Sequence, residues 1–312
     1  MTPERVAFFD IGTNTVLCLI AEISGGSFKI LDDLAEITRL GQGVDRTGRI
    51  AAEAEERTRQ TFGRYAKRLR ELGANKTFAV ATSAMRDAQN SAEVRNRFRS
   101  DFGIDIRVIT GAEEAKYSFL AAQNGLPLAG RELLVIDIGG GSTEFIRGND
   151  AGFSGVASLP LGSVRLTERF LRSDPVNPTE SAAMAAFMDT EMRPLAADWL
   201  QNFSSLTLVG TAGTFTTMAA IEKKLVHYSH SEVHGSTLSL QEVRRQVQLL
   251  EEKTIAERKR IPGLEPGRAD VIYAGALLIE RILTLLHSDR VIVSDQGVRY
   301  GLLYEYVRTR SQ

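Results

Sequence analysis

The chain has 312 residues, 43% hydrophobic and 25% charged, with 38 Lys and Arg against 39 Asp and Glu and a formal net charge of −1. That is the composition of a soluble globular protein large enough for two domains, and it excludes the broad basic surface of sequence-independent nucleic-acid binding while leaving room for a local anion pocket. The single cysteine, Cys18, excludes an intrachain disulfide and lies in an apolar run, so it reads as a core residue.

The first element is a buried strand, Val6 to Asp10, ending in the turn Ile11-Gly-Thr-Asn14. A second strand, Thr15 to Ile23, turns at Ser24-Gly-Gly-Ser27, and Phe28 to Leu40 supplies a third strand with an irregular end. The apolar stretch Val16 to Ile23 contains Glu22 and is too short to span a bilayer. With no signal-peptide pattern at the start, a cytoplasmic protein without membrane partners is expected. Ala51 to Leu72 reads as a helix closed by Gly73, and Thr77 to Ala81 as a strand. Asn90 or Ser91 is placed to cap a helix running to about Asp101 and stopped by Gly103. Asp105 to Ile109 is a strand, and a helix starts near Ala112.

The second half restarts the theme with the strand Leu133 to Asp137, the turn Ile138-Gly-Gly-Gly-Ser142 and another strand. Thr179 to Trp199 is a helix with Asn177 as N-cap and Pro178 at its first position. Leu206 to Val209 is a strand, and a helix follows from Thr214. Ser239-Leu-Gln-Glu242 is a capping box opening a further helix. A long helix, Asp270 to His287, a strand, Val291 to Val293, and a last helix to about Arg308 complete the chain. Alternating helices and strands give an α/β class, with a break between Asn124 and Arg131.

Asp10-Ile-Gly-Thr-Asn-Thr15 and Asp137-Ile-Gly-Gly-Gly-Ser142 share one pattern: strand, Asp, Ile, Gly, two turn residues and a hydroxyl. In each, a hairpin turn aims backbone N–H groups at a phosphate, glycine lets the oxygen approach, and the strand-end Asp is suited to Mg²⁺. A turn needing only glycine explains either alone; the pair indicates duplication. Leu208-Val-Gly-Thr-Ala-Gly213-Thr214 adds a glycine turn opening a helix, an anion site by its free N–H groups or simply a tight turn.

Taken together, these loops resemble those of the actin-like ATPase superfold shared by sugar kinases, heat-shock chaperones and actin. Thr82-Ser-Ala-Met-Arg86, Thr110-Gly-Ala-Glu113-Glu114-Ala115, Asp137-Ile-Gly-Gly-Gly-Ser-Thr-Glu144 and Ser294-Asp-Gln-Gly-Val-Arg-Tyr-Gly301 narrow the resemblance to the exopolyphosphatase and guanosine pentaphosphate phosphatase family. It implies two ribonuclease H-like domains with an interdomain cleft, here 1–125 plus 300–312 and 126–299, with the final helix packed on the first domain. The chain is similar to the family's short form, and a homodimer is compatible with it.

The resemblance further implies hydrolysis of a terminal phosphoanhydride, aided by Mg²⁺ or Mn²⁺, on polyphosphate or guanosine pentaphosphate. It places the water-activating carboxylate on Glu114, whose neighbour Glu113 fits the ordinary preference for acids in a first helical turn. Glu144 would align the water or join Asp10 and Asp137 at the metal, against the alternative of a surface carboxylate. Gly12, Thr13, Asn14, Thr15, Gly139, Gly140, Gly141, Ser142, Thr143 and Gly213 would contact phosphates. Arg86, Arg39 and Arg165 would add guanidinium forks, although any one of them, or Arg268, reads alone as a solvated charge. His227, His230 and His234 lie in a polar stretch without a cysteine and read as a surface loop rather than a zinc site. A small-molecule kinase of the same superfold and a non-catalytic guanosine alarmone sensor are the rival readings.

Overall fold

The computed structural model describes residues 3–198 and 206–310. It contains two compact units, Met1–Ala121 with Val298–Gln312, and Ala122–Gly297. No helix among the described residues is long and apolar enough to cross a membrane.

Unit 1 is built on β1 (Glu4–Ile11), β2 (Thr15–Ser24), β3 (Ser27–Ile37), β4 (Lys76–Ala81) and β5 (Ile106–Val108), in the sheet order β3-β2-β1-β4-β5. The first three strands are antiparallel, and β4 and β5 run parallel to β1. Its helices are α1 (Val44–Thr47), α2 (Ala52–Leu72), α3 (Ser83–Asp87), α4 (Ser91–Phe102) and α5 (Gly111–Gly125), the last carrying the chain into unit 2. Alternation along β1 explains its nearly continuous apolar run, because both faces are covered. Ala7, Phe9 and Ile11 face Phe62, Tyr65 and Phe98 of α2 and α4, while Val6 and Phe8 join a second cluster on the opposite face. Cys18 is a buried free thiol in the first cluster, and burial pushes its pKa well above the ordinary thiol range.

The expected side-chain cap by Asn90 is not made. Its carboxamide instead accepts from Ile50 N at 2.9 Å and donates to Ile50 O at 3.0 Å, pinning a loop 40 residues away. With both ends of the amide directed at the Ile50 backbone, the side chain makes no bond to the first turn of α4.

Unit 2 repeats the sheet. It has β6 (Leu133–Ile138), β7 (Thr143–Asn149), β8 (Gly152–Leu159), β9 (Thr207–Thr211), β10 (Thr237–Ser239) and β11 (Arg290–Val293), ordered β10-β11-β9-β6-β7-β8. Strands β8-β7-β6-β9-β11 match β3-β2-β1-β4-β5 in order and direction, with β10 added at the edge. Its helices are α6 (Ser163–Phe170), α7 (Pro178–Asp198), α8 (Ala212–Glu222), α9 (His230–Val233), α10 (Leu240–Glu251), α11 (Ile255–Arg258) and α12 (Ile272–Leu285). They enclose a core that includes Ile136, Phe145, Met188, Phe215, Tyr273 and Leu278. Asn177 Oδ1 accepts from Thr179 N at 2.8 Å at the start of α7, whose expected end at Trp199 lies outside the described residues. The Ser239–Glu242 capping box opens α10 with both reciprocal bonds.

The closing helix α13 (Val298–Arg310) belongs to unit 1 and packs Val298, Leu302 and Leu303 beneath Val6 and Phe8. Arg299, from the Ser294–Gly301 motif, forms a two-pronged ion pair with Asp33 of β3 at 2.7 and 3.0 Å. That arginine therefore fastens α13 to the sheet.

Candidate active site

In unit 1 the turn between β1 and β2 is closed by Gly12 N to Thr15 O at 3.0 Å. Behind it runs segment 38–41, held by Thr38 N and Arg39 N to Asn14 O and by Gly41 N to Thr13 O. Arg39 takes a left-handed backbone, φ 53°, which a non-glycine residue occupies at a cost and which turns the chain around the loop. A Cβ on Gly41 would overlap Thr13 Cγ2 and approach Ala84 Cβ to 2.9 Å, so this glycine lets the loop, segment 38–41 and α3 meet. Thr13 and Asn14 are buried, and both amide atoms of Asn14 lack a hydrogen-bond partner among the described residues. Asp10, half-buried, is the penultimate residue of β1, beside this turn.

Arg86 and Glu114, expected in different roles, touch. Arg86 Nη1 donates to Glu114 Oε2 at 3.1 Å and to Ile109 O at 2.9 Å. The adjacent glutamates are sorted by the helix start. Glu113 Oε2 accepts from Thr110 N at 2.9 Å while Thr110 Oγ1 accepts from Glu113 N, a capping box, and Glu113 also pairs with Arg107. Thr110 N–H first, and then Arg107, hold the Glu113 carboxyl below the ordinary carboxylate range. Glu113 therefore serves the helix end, whereas Glu114 is turned inward with only 7% exposure.

In unit 2 the equivalent turn is closed by Gly139 N to Ser142 O at 2.9 Å. Its backing segment is the start of α6. Ser163 N donates to Gly139 O, and Val164 N and Arg165 N to Gly140 O. Arg165 Nε adds a bond to Gly141 O at 2.8 Å. A Cβ on Gly162 would overlap the backbone of Gly140 and Gly141. Thr143 is fully buried, and its hydroxyl proton goes to Leu161 O. A hydroxyl has one proton to donate, so that of Thr143 is engaged within the fold.

Asp137 and Glu144 are direct partners in the antiparallel register of β6 and β7, so both carboxylates project from one face of the sheet. Asp137 is 6% exposed and Glu144 is fully buried, with Ser158 Oγ donating to Glu144 Oε1 at 2.8 Å. Two buried carboxylates side by side repel and are costly to desolvate, so the pair fits a divalent cation held by hard oxygen ligands. The corresponding partner of Asp10 is Leu17, which brings no second charge.

The third glycine element lies where β9 enters α8. Ala212 has a left-handed φ of 70°, and a Cβ on Gly213 would collide with the Arg268 guanidinium. Arg268 is thus the arginine that glycine admits to the α8 start, a placement its sequence context did not single out. The turn carrying it is tied down by buried Arg258, which donates to Leu250 O at 2.7 Å and Ala269 O at 3.3 Å. His230 pairs with Asp295, and His234 bonds Gly125 O and Asp295 N.

The profile of the Ppx/GppA phosphatase family matches residues 19–310. Exopolyphosphatase 2 of Mycobacterium tuberculosis is 36% identical over 316 residues, covering 97% of this chain and 98% of that protein. Among solved structures, a Ppx/GppA family member from Aquifex aeolicus is 35% identical with a TM-score of 0.80 over 99% of each chain. An exopolyphosphatase from Cytophaga hutchinsonii is 31% identical with a TM-score of 0.90 over 98% of each.

Proposed function

The chain belongs to the Ppx/GppA phosphatase family, and from that premise we propose that it hydrolyses the terminal phosphoanhydride of inorganic polyphosphate, guanosine pentaphosphate or both. Glu114 is the base. It takes a proton from water as the water oxygen attacks the terminal phosphorus. The bond from that phosphorus to the bridging oxygen breaks, and the shortened chain leaves with that oxygen. Such a reaction asks the protein mainly for positioning and charge balance. The backbone N–H groups of Thr13, Asn14 and Thr15, and of Gly140, Gly141 and Ser142, are assigned to phosphate oxygens, with Gly213 at the start of α8. The N–H groups of Gly12 and Gly139 close the two turns, and these glycines contribute the space for an oxygen to approach. Arg39, Arg86 and Arg165 supply guanidinium groups, to which Arg268 is added.

Asp137 and Glu144, with Asp10, would hold Mg²⁺ or Mn²⁺, and Glu144 would also align the water. The metal, when bound, neutralises charge on the phosphate oxygens. The observation that carries the reading is the division of labour in α5, where Glu113 is consumed by the cap and Glu114 is buried against Arg86.

Phosphate release from polyphosphate and from guanosine pentaphosphate, each with and without Mg²⁺, tests the proposal. Glu114→Gln is expected to lower kcat by about 10²–10⁴ while the protein still folds and binds substrate. Glu113→Gln should cost far less. Equal losses in both variants would defeat the assignment of the base. Phosphoryl transfer only to an added acceptor would favour a kinase, and binding of the guanosine compound without release would favour a sensor.

A further inference from the structure

We propose that Arg86 is a positioning residue with two faces: one nitrogen holds Glu114 in place, and the opposite edge takes a substrate phosphate, so substrate engagement and alignment of the base are mechanically one event. The inference rests on the reading of Glu114 as the base and deepens it.

Arg86 is anchored at its root, because its backbone N donates to Thr82 O at 3.0 Å and Thr82 N to Ile11 O at 3.2 Å, at the end of β1. At its tip, Nη1 is shared between Ile109 O and Glu114 Oε2. Ile109 is fixed in turn, its N donating to Ala81 O at 3.0 Å. The Nε and Nη2 groups have no acceptor among the described residues, and the side chain keeps 27% of its exposure. Nε and Nη2 form the side-on fork of a guanidinium, whose spacing suits two oxygens of one phosphate.

The guanidinium is a rigid plane. A phosphate seated on the Nε/Nη2 edge therefore fixes the direction of Nη1 and of the carboxylate that hangs from it. With that edge vacant, the plane is held at one nitrogen and is able to rock. Without Arg86, Glu114 loses a charged hydrogen-bond donor in a buried position and has reason to turn elsewhere. Contact with a phosphate that does not react then contributes to the chemical step as well as to binding, because remote binding energy is used to orient the reacting groups.

A double-mutant cycle distinguishes this from a phosphate contact alone. Single-turnover phosphate release from polyphosphate is measured for wild type, Arg86→Ala, Glu114→Gln and the double variant. Arg86→Ala is expected to raise KM and to lower kcat by roughly 10-fold to 10²-fold. In the Glu114→Gln background the same change should raise KM by the same factor and leave the residual kcat unaltered, because nothing remains for Arg86 to position. Added guanidinium ion should restore kcat in Arg86→Ala but not in the double variant. Arg86→Lys, which keeps the charge and the fold but not the fork, should recover more of KM than of kcat. Losses in kcat that multiply in the double variant, or an Arg86→Ala defect confined to KM, would overturn the proposal. Wild-type turnover by Glu114→Gln would instead remove the base assignment itself, and this inference with it.

Discussion

In unit 1 the turn after β1 leans on an open segment, residues 38–41, bound to it by three backbone hydrogen bonds, and the close approach at Gly41 is to a side chain: a Cβ there would overlap the Thr13 methyl group. In unit 2 the turn after β6 leans on a helix start, and the contact is backbone on backbone, Gly162 against Gly140 and Gly141. Three N–H groups at the head of α6, those of Ser163, Val164 and Arg165, are spent on carbonyls of the turn itself. The turns are nearly superimposable in their closing bond, 3.0 Å for Gly12 to Thr15 and 2.9 Å for Gly139 to Ser142. Their carboxylates differ more: Asp137 faces Glu144 across the hairpin, whereas Asp10 faces Leu17. Duplication kept the turn and let the surroundings diverge. Unit 2 has the paired carboxylates and the turn packed backbone on backbone, and unit 1 has the inward Glu114 with its arginine.

The largest effect should come from withdrawing the metal. Excess chelator is expected to abolish turnover, and full turnover in chelator would remove the metal from the proposal. The asymmetry of the carboxylates sharpens the test. Glu144→Gln should raise the Mg²⁺ concentration for half-maximal activity by roughly 10-fold to 100-fold, and Asp10→Asn by less. Equal shifts would mean that the second carboxylate in unit 2 makes no difference to cation affinity.

Next in size is the pair of glycine substitutions. Gly162 has φ −134°, a backbone that alanine adopts freely, so only space forbids a side chain there. Its added methyl group meets backbone atoms that cannot rotate away, and a displacement of the turn by about 1 Å would cost on the order of 10² in kcat/KM. Gly41→Ala presses on the Thr13 side chain, which has a rotamer to give, and on Ala84, which has none. Its loss should be smaller, and Thr13→Ser in the same chain should recover part of it by removing the opposing methyl. If Gly41→Ala proves the more damaging variant, the contrast between a yielding and a stiff support is mistaken.

Much of this was legible in the sequence, and what escaped has a common cause. Strand–Asp–Ile–Gly patterns marked both turns because the chemistry is local: an apolar run, a sharp turn and a phosphate-sized gap need consecutive residues. The Ser239–Glu242 box was readable for the same reason. Gly41 and Gly162 matter only for what folds against them, from 28 and 22 residues upstream in Thr13 and Gly140. The contact of Arg86 with Glu114 joins positions 28 apart. Strand β8, GFSGVASL, escaped because it is an edge strand, partly exposed and rich in small residues. Asn90 shows the converse: its type and position were right for a cap, but Ile50 engaged its amide first.

The smallest effect concerns Glu113, and it tests whether the two neighbouring glutamates are as separate as their contacts suggest. Glu113→Ala removes one half of the Thr110 capping box and should cost about 1 kcal/mol of stability near neutral pH. Glu113→Gln keeps an acceptor for Thr110 N and should cost a few tenths. The Arg107 pair adds little, since both side chains are substantially exposed, and high salt should leave most of the difference in place. The pH dependence has a definite sign. Because the folded state holds the Glu113 carboxyl below its ordinary range, the contribution is whole above that range and is lost as the pH falls through the depressed value. Thermal melts of wild type and Glu113→Ala should therefore separate at neutral pH and converge in acid. Turnover should follow neither trend closely, because Glu114 is held by Arg86 and by the rest of α5 rather than by the cap. A gap in melting temperature that persists undiminished in acid would show that Glu113 acts through packing instead of charge. A fall in kcat as deep as that of Glu114→Gln would show that the cap and the base are one device.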